Sequence, residues 1–294
     1  MTTFLVTGAT GQVGRRFVPR LAQWAGPGAV RVLVREEARA AEATARGLRA
    51  VVGDLREPAD RAAALKGVDV VVHVAAALRG VSDEEAFAVN RDATIALGRD
   101  AAEAGVRRFV HTSTNLVYGR GSSRPAVEGD PLDPDPAWGA YPASKAAAET
   151  GLRALGDRLP LVAVRPAFVY GEGDPHLADS LGWAGRWASH QRLPIVHHAD
   201  VARALWAAAV TPGVAGRSYN VADDAPVTAW DLHELNGAPR PAAWTAAPGA
   251  APSADPAGAA NPWEGQVSTA AIRRELGWRP LYPSVWTARD AGAL

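Results

Sequence analysis

Along the first half of the chain, short runs of aliphatic and β-branched residues alternate with longer Ala-rich stretches of helical period. The apolar runs fall at Thr3 to Thr7, Val30 to Val34, Arg49 to Val52, Val68 to Val74, Arg108 to Thr112 and Leu161 to Arg165. Within each run the apolar positions are nearly continuous instead of alternating, which means strands covered on both faces, with helices between them. The pattern predicts an α/β fold whose core is a doubly wound parallel sheet of Rossmann type. Ser82 to Gly105 reads as one long helix. Further on, His176 to His190 carries Leu177, Leu181, Trp183, Ala184 and Trp187 at helical spacing, although Gly182 and Gly185 weaken a helix there. Asn236 to Pro262 is rich in Gly, Ala and Pro without a period and reads as a mobile lid or a disordered loop. Ser268 to Leu276 returns as a short helix, and the chain closes on Pro283 to Asp290.

The first strand runs straight into Thr7-Gly8-Ala9-Thr10-Gly11-Gln12-Val13-Gly14, and an amphipathic segment follows to about Trp24. Strand, three glycines and helix in that order place free backbone N–H groups at a helix N-terminus, where the dipole favours an anion. One glycine makes the turn, the next admits a phosphate close to the backbone, and the last lets helix and strand pack together. The stretch Gly8, Gly11, Gln12, Val13, Gly14 therefore reads as the pyrophosphate cradle of a dinucleotide. Arg35 ends the second strand, 21 residues beyond Gly14, where an acid would hold the ribose 2′-OH of NAD. An Arg there suits the 2′-phosphate of NADP, so NADP is the expected cofactor and NAD the alternative.

Composition narrows the picture by exclusion. Net charge is zero without basic or acidic runs, which gives no reason to expect nucleic acid or a membrane surface as partner. With no Cys, thiol chemistry, disulfides and Cys-based metal sites are ruled out. Met1 to Val6 lacks the charged and long apolar regions of a signal peptide, and no apolar run approaches the ~20 residues that span a bilayer, so a cytoplasmic location is expected. His197-His198 invites a metal, but adjacent residues on a strand face opposite ways and no acid is spaced to help, so none is expected. Nine of the ten Trp lie from Trp138 onward. Packing is their commoner use, and an aromatic substrate pocket the other.

Only two of the 31 basic residues are Lys, and one of them, Lys145, stands four residues after Tyr141. Pro142 suits the first turn of a helix, which puts Tyr141 and Lys145 on one face. An ammonium beside a phenol favours the phenolate and lowers its pKa toward working pH, making the Tyr a proton donor and acceptor. Upstream, Thr112-Ser113-Thr114 places three hydroxyls at a strand end, where one could serve catalysis or cap the next turn.

With these motifs in place the chain resembles the extended short-chain dehydrogenase/reductase family, which includes NAD(P)-dependent epimerases, dehydratases and ketoreductases. The resemblance rests on the glycine cradle, Asp54-Leu55, the hydroxyl strand running into Val117-Tyr118-Gly119, Tyr141 with Lys145, and Arg165-Pro166-Ala167-Phe168-Val169-Tyr170-Gly171. Asp200-Val201-Ala202, Tyr219-Asn220-Val221 and Glu275-Leu276-Gly277-Trp278-Arg279-Pro280 extend it over nearly the whole chain. It implies that Thr114, Tyr141 and Lys145 are catalytic. Asp54 and Leu55 would flank the adenine, Val74, Ala75 and Ala76 the adenosine ribose and pyrophosphate, Asn90 and Thr112 the cofactor environment, and Pro166 the nicotinamide. Residues 1–170, rejoined by 193–222, would bind NAD(P), and 171–192 with 223–294 would form a small, mostly helical substrate lobe. It also implies a homodimer packed through the Ser82–Gly105 and Tyr141–Gly156 helices.

Three departures narrow the reaction. Asn115-Leu116 stands where dehydratases carry an Asp-Glu pair. Phe168 replaces the Asn that contacts a sugar nucleotide in epimerases, and Leu193 the Arg that holds its pyrophosphate, with Arg192 one residue early. The expected activity is hydride transfer between nicotinamide and a small-molecule carbonyl or secondary alcohol carbon. A nucleotide-sugar epimerase with tightly bound NAD and a non-catalytic NADP(H) sensor are the alternatives.

Overall fold

A computed structural model of the chain describes residues 2–244 and 263–294. Strands β1 (Phe4–Thr7), β2 (Val30–Val34), β3 (Arg49–Val52), β4 (Val70–His73), β5 (Arg108–Thr112) and β6 (Leu161–Pro166) alternate with helices α1 (Gly14–Ala25), α2 (Glu37–Ala45), α3 (Pro58–Leu65), α4 (Asp83–Phe87), α5 (Thr94–Glu103) and α6 (Ala140–Arg153). Later come β7 (Phe168–Tyr170), α7 (His176–Asp179), α8 (Leu181–Ala184), β8 (Arg192–Leu193), β9 (Ile195–His197), α9 (His198–Val210) and β10 (Ser218–Val221). The chain ends with β11 (Val227–Thr228), α10 (Ala229–Leu235), α11 (Ala270–Leu276) and α12 (Val285–Asp290).

Seven strands form one all-parallel sheet in the order β3-β2-β1-β4-β5-β6-β10. The doubly wound core read from the apolar runs is present, and β10 adds a seventh strand beside β6. Successive residues of each strand point to opposite faces, and two cores result. Phe4, Val6, Val32 and Val72 join Phe17 and Leu21 of α1 and Leu205 of α9 on one face. Leu5, Val71 and Phe109 join Leu65 of α3, Leu97 of α5 and Leu152 of α6 on the other. A smaller third core gathers Tyr170, Leu177, Ile195, Leu232 and Val285 from the later elements.

The helix expected over Ser82 to Gly105 forms with an irregularity. Ser82 caps α4 by accepting from Glu85 N–H, and a π-helical turn at Ala88–Ala93 joins α4 to α5. The helix expected over His176 to His190 is broken instead into α7 and α8. Buried Ser180 turns its hydroxyl onto the Leu177 carbonyl (2.6 Å), and the glycines at 182 and 185 do not sustain helix beyond Ala184. Of the aperiodic stretch from Asn236, residues 245–262 lie outside the described residues. Asn236 itself is held by donating to the Leu177 and Leu232 carbonyls. Among the described residues no helix is long and apolar enough to cross a membrane.

Candidate active site

The carboxyl ends of the parallel strands open into one cleft of about 1160 Å³. Its floor is the glycine turn. Gly11 N–H closes it onto the Gly8 carbonyl (3.1 Å), and α1 starts at Gly14. Gly8 sits at φ +70°, and a Cβ there would lie 2.5 Å from the Ala75 backbone, while one on Gly14 would lie 2.0 Å from Gly8 O. Gly11 differs, because a Cβ there would meet only Gly8 O at 3.5 Å and otherwise project into open space. Two glycines are thus needed by the fold and one keeps a backbone approach free, the division a pyrophosphate cradle requires. The residues present fit a dinucleotide. Gln12 and Val13 line the same floor, and Gln12 is fixed by Arg16, which donates to both its carbonyl and its Oε1 (2.9 Å each).

Arg35, Asp54 and Leu55 line the far end of the cleft, and Val74, Ala75 and Ala76 its wall. Asp54 is paired with Arg56 (2.7 Å), whose hydrogen bonds hold its carboxyl below the usual range. Arg35 makes no ion pair or hydrogen bond among the described residues. Asn90 departs from expectation. It is fully buried behind the cleft wall and takes no part in the lining; its amide donates to the Ala77 carbonyl (2.8 Å) and Ser144 Oγ (3.0 Å) and accepts from Ala77 N–H (2.8 Å). The π turn carries it there, so its effect on a cofactor would pass through the backbone it holds.

Thr112, Thr114, Tyr141, Lys145 and Pro166 meet in the middle of the cleft. Thr114 ends the hydroxyl strand and caps the 3-10 turn that follows, accepting from Leu116 N–H at 3.3 Å, and it also hydrogen-bonds the Tyr141 phenol. Tyr141 and Lys145 lie one turn apart on α6. The expected lowering of the phenol is reversed. Burial pushes Tyr141 up to about 12 against the opposing hydrogen bond from Thr114, and it pushes buried Lys145 down to about 7 against the supporting charge of Glu149. Desolvation outweighs the ammonium because Lys145 shares the same low-dielectric floor. Thr112 Oγ1 and Ser113 Oγ are buried without partners among the described residues.

Beneath the trio is a buried ionic network. Arg165, from β6, pairs with Glu149 of α6 and donates to the Tyr118 hydroxyl and the Glu128 carbonyl. Tyr118 donates onward to Asn220 Oδ1 (2.8 Å) on β10. These bonds tie α6 to the sheet and thereby fix where Tyr141 and Lys145 stand. On the other side His73, neutral with its pKa held at about 3 by burial, bridges Thr7 Oγ1 (2.7 Å) and Thr94 Oγ1 (2.8 Å). The His197–His198 pair is used internally: His197 caps α9 and donates to the Ala293 carbonyl (2.8 Å), and His198 bonds Asp174 (2.7 Å).

The family model for the NAD dependent epimerase/dehydratase family matches residues 4–222. The chain belongs to that family. It is 34% identical over 238 residues, 77% of this chain and 70% of the relative, to the 4-hydroxy-2-methyl-3-oxo-4-farnesyl-3,4-dihydroquinoline-1-oxide ketoreductase of Stigmatella aurantiaca. The structure is similar to that of DesIV, a dTDP-glucose 4,6-dehydratase from Streptomyces venezuelae solved with NAD bound. That match has a TM-score of 0.73 and 27% identity and covers 98% of this chain and 97% of the other. An NAD-bound short-chain dehydrogenase/reductase superfamily protein from Agrobacterium tumefaciens shares the fold at TM-score 0.75 and 22% identity, covering 98% and 95%. Members of this epimerase/dehydratase family are oxidoreductases, epimerases and dehydratases, and several of the similar structures hold NAD.

The aromatic side of the cleft is the use of the Trp residues that the sequence reading weighed second to packing. Phe168, His176, Trp183 and Trp187 stand together there, and all four line the cleft. Trp183 serves both uses, packing against the smaller core while it lines the cleft with Trp187. Asn115 is tied to the Gly265 carbonyl (3.0 Å), and Leu193 also lines the cleft.

Proposed function

We infer that the protein is an NAD(P)-dependent oxidoreductase that interconverts a non-nucleotide carbonyl compound and its secondary alcohol. The observation that carries this reading is the convergence of Thr114, Tyr141 and Lys145 in a cleft that the apolar side chain of Phe168 also lines. When bound, the reduced nicotinamide supplies hydride to the carbonyl carbon. Tyr141 keeps its proton at neutral pH because burial holds its pKa near 12, so it is a donor and transfers that proton to the substrate oxygen as the C=O π pair moves there. Thr114 hydrogen-bonds the same oxygen and the phenol, keeping the two in line. The phenolate left on Tyr141 favours the ammonium of Lys145, whose pKa then rises from about 7, and solvent returns the proton. Lys145, one turn below, would hold the nicotinamide ribose. Gly8, Gly11, Gln12, Val13 and Gly14 would hold the pyrophosphate, Asp54 and Leu55 the adenine, Val74 to Ala76 the adenosine ribose, and Pro166 the nicotinamide.

NADP is preferred in this reading, because Arg35 offers an uncommitted guanidinium at the cleft's adenosine end and no acid ends β2. The family's epimerases keep a second reading open, which Phe168 and Leu193 oppose, since neither can hydrogen-bond a sugar nucleotide. The test is titration with NADPH and NADH, with and without UDP-glucose. Tighter NADPH binding, lost on Arg35→Ala and indifferent to UDP-glucose, is expected. NADH preference, or tightening by the sugar nucleotide, would put the epimerase first.

A further inference from the structure

The substrate end of the cleft has an apolar side and a charged side. On the apolar side Trp183 meets Phe168 edge-on (centroids 6.1 Å apart, 76° between planes) and Trp187 lies 4.5 Å beyond Trp183, while His176 tilts over Phe168 at 5.4 Å. The rings are half-buried: Phe168 and Trp183 pack against the third core on one side, and all four residues line the cleft. They are also held in place. Trp244 donates its indole N–H to the Trp187 carbonyl (2.9 Å), and His176 Nδ1 contacts the Val169 carbonyl (3.2 Å). Phe168 follows Pro166, the residue read as flanking the nicotinamide, by two residues, so on that reading this wall starts beside the reacting carbon.

The charged side is equally specific. Six Arg line the cleft, and Arg56, Arg79 and Arg120 are paired with Asp54, Asp179 and Asp135. Among the described residues Arg35, Arg186 and Arg192 make no ion pair, although the charge of Arg35 reaches Asp54. Arg35 belongs to the cofactor end. Arg186 lies between Trp183 and Trp187 in the chain and Arg192 beyond them next to Gln191, and all of them line the cleft.

Aromatic walls select flat apolar rings by offset and edge contacts, and uncommitted guanidiniums select carboxylate or phenolate. The order matters. In a nucleotide sugar the hydroxyl-rich ring must lie at the reacting carbon, where this chain presents Phe168 and Trp183. We propose that the substrate is a planar aromatic or polycyclic carbonyl compound whose reacting carbon is carried by the ring against Phe168, Trp183 and Trp187, with an acidic group held by Arg186 and Arg192. This rests on the carbonyl-reductase reading and narrows its substrate class.

The test uses the full chain with its oxidised cofactor, so that ketones bind without being reduced, and measures affinity by calorimetry for three probes. These are 6-acetyl-2-naphthoate, the neutral 2-acetylnaphthalene, and the flexible 2-dodecanone. The naphthoate is expected to bind at least ~10-fold tighter than acetylnaphthalene, and acetylnaphthalene at least ~10-fold tighter than dodecanone. Trp183→Leu with Trp187→Leu should abolish the ring preference, and Arg186→Ala with Arg192→Ala only the preference for the acid. The wild-type ranking stands as a test even where a variant fails to fold. Dodecanone binding as tightly as acetylnaphthalene, equal affinity for the acidic and neutral naphthyl ketones, or UDP-glucose outbinding all three would overturn the proposal. NADPH oxidation separates it from the reading beneath it. No turnover with any ketone, while the ranking holds, removes the reductase and leaves the aromatic-acid site. Turnover with the ranking lost does the reverse.

Discussion

Replacing Gly11 and Gly14 by Ala separates the cradle's role in the fold from its role in binding. At Gly14 the new methyl would sit 2.0 Å from Gly8 O and 2.8 Å from Ala9 Cα, both backbone atoms that no rotamer change can move aside. The turn must open by more than 1 Å, and overpacking of that kind costs about 1–3 kcal/mol. For a chain of this size that is a Tm loss of roughly 2–10 °C. Gly11→Ala meets only Gly8 O at 3.5 Å and needs no positive φ, so its folded state is unstrained and the smaller unfolded-state entropy stabilises it by up to about 1 kcal/mol. Its methyl instead occupies the space through which a phosphate approaches. Losing one charge-assisted hydrogen bond there costs about 1.5–3 kcal/mol, or roughly 10- to 100-fold in affinity. Thermal denaturation by circular dichroism and NADPH titration by fluorescence read the two effects separately. Gly14→Ala should melt lower, and Gly11→Ala should melt like the wild type yet bind NADPH at least ~10-fold more weakly. An unchanged NADPH affinity in Gly11→Ala would refute the cradle.

Arg165→Met takes from buried Glu149 its closest cation, leaving half-exposed Arg153 and the nearby Lys145, and should destabilise by about 3–5 kcal/mol in urea denaturation; a loss below ~1 kcal/mol would show that the network does not anchor α6. Asp223 accepts from the Tyr170 hydroxyl (2.8 Å), and burial raises its pKa from 3.8 to about 8, so the folded chain keeps a proton that the unfolded chain has already released. That contribution to stability is complete below about pH 4 and is lost as pH rises through 8. Asp223→Asn should therefore gain stability relative to wild type as pH rises from about 4 to 8, and a constant difference in Tm across that range would contradict the assignment. The homodimer implied by the family resemblance should sediment at twice 30.7 kDa, and a single species at that monomer mass would remove it.

The sheet was legible because continuous apolar runs such as Val70–His73 and Leu161–Pro166 can be buried on both faces only in a doubly wound core. Glycine spacing likewise pointed to the cradle, since Gly8 and Gly14 are demanded by backbone contact. Tyr141 and Lys145 were legible as an i, i+4 pair on one helix face, but the sign of the Tyr141 shift was not. Their shared burial is a property of the assembled floor, and desolvation overrides the local ammonium. The helix expected from His176 also failed on a local competitor, the Ser180 hydroxyl bonding back to Leu177. Periodicity put Trp183 and Trp187 on an inner face; Trp183 does pack against the third core, and both also line the cleft, which periodicity alone does not show. Asn90 shows the same limit: the π turn that rotates it behind Ala77 leaves no mark in the pattern.

The central claim is that Tyr141 donates the proton in carbonyl reduction, and single-turnover oxidation of bound NADPH by 2-acetylnaphthalene, wild type against Tyr141→Phe, tests it most directly. Loss of a positioned general acid is worth about 10²- to 10⁴-fold. The account predicts a fall in the oxidation rate of at least ~100-fold with NADPH affinity unchanged. A Tyr141→Phe enzyme that reduces the ketone within ~10-fold of wild type would contradict it.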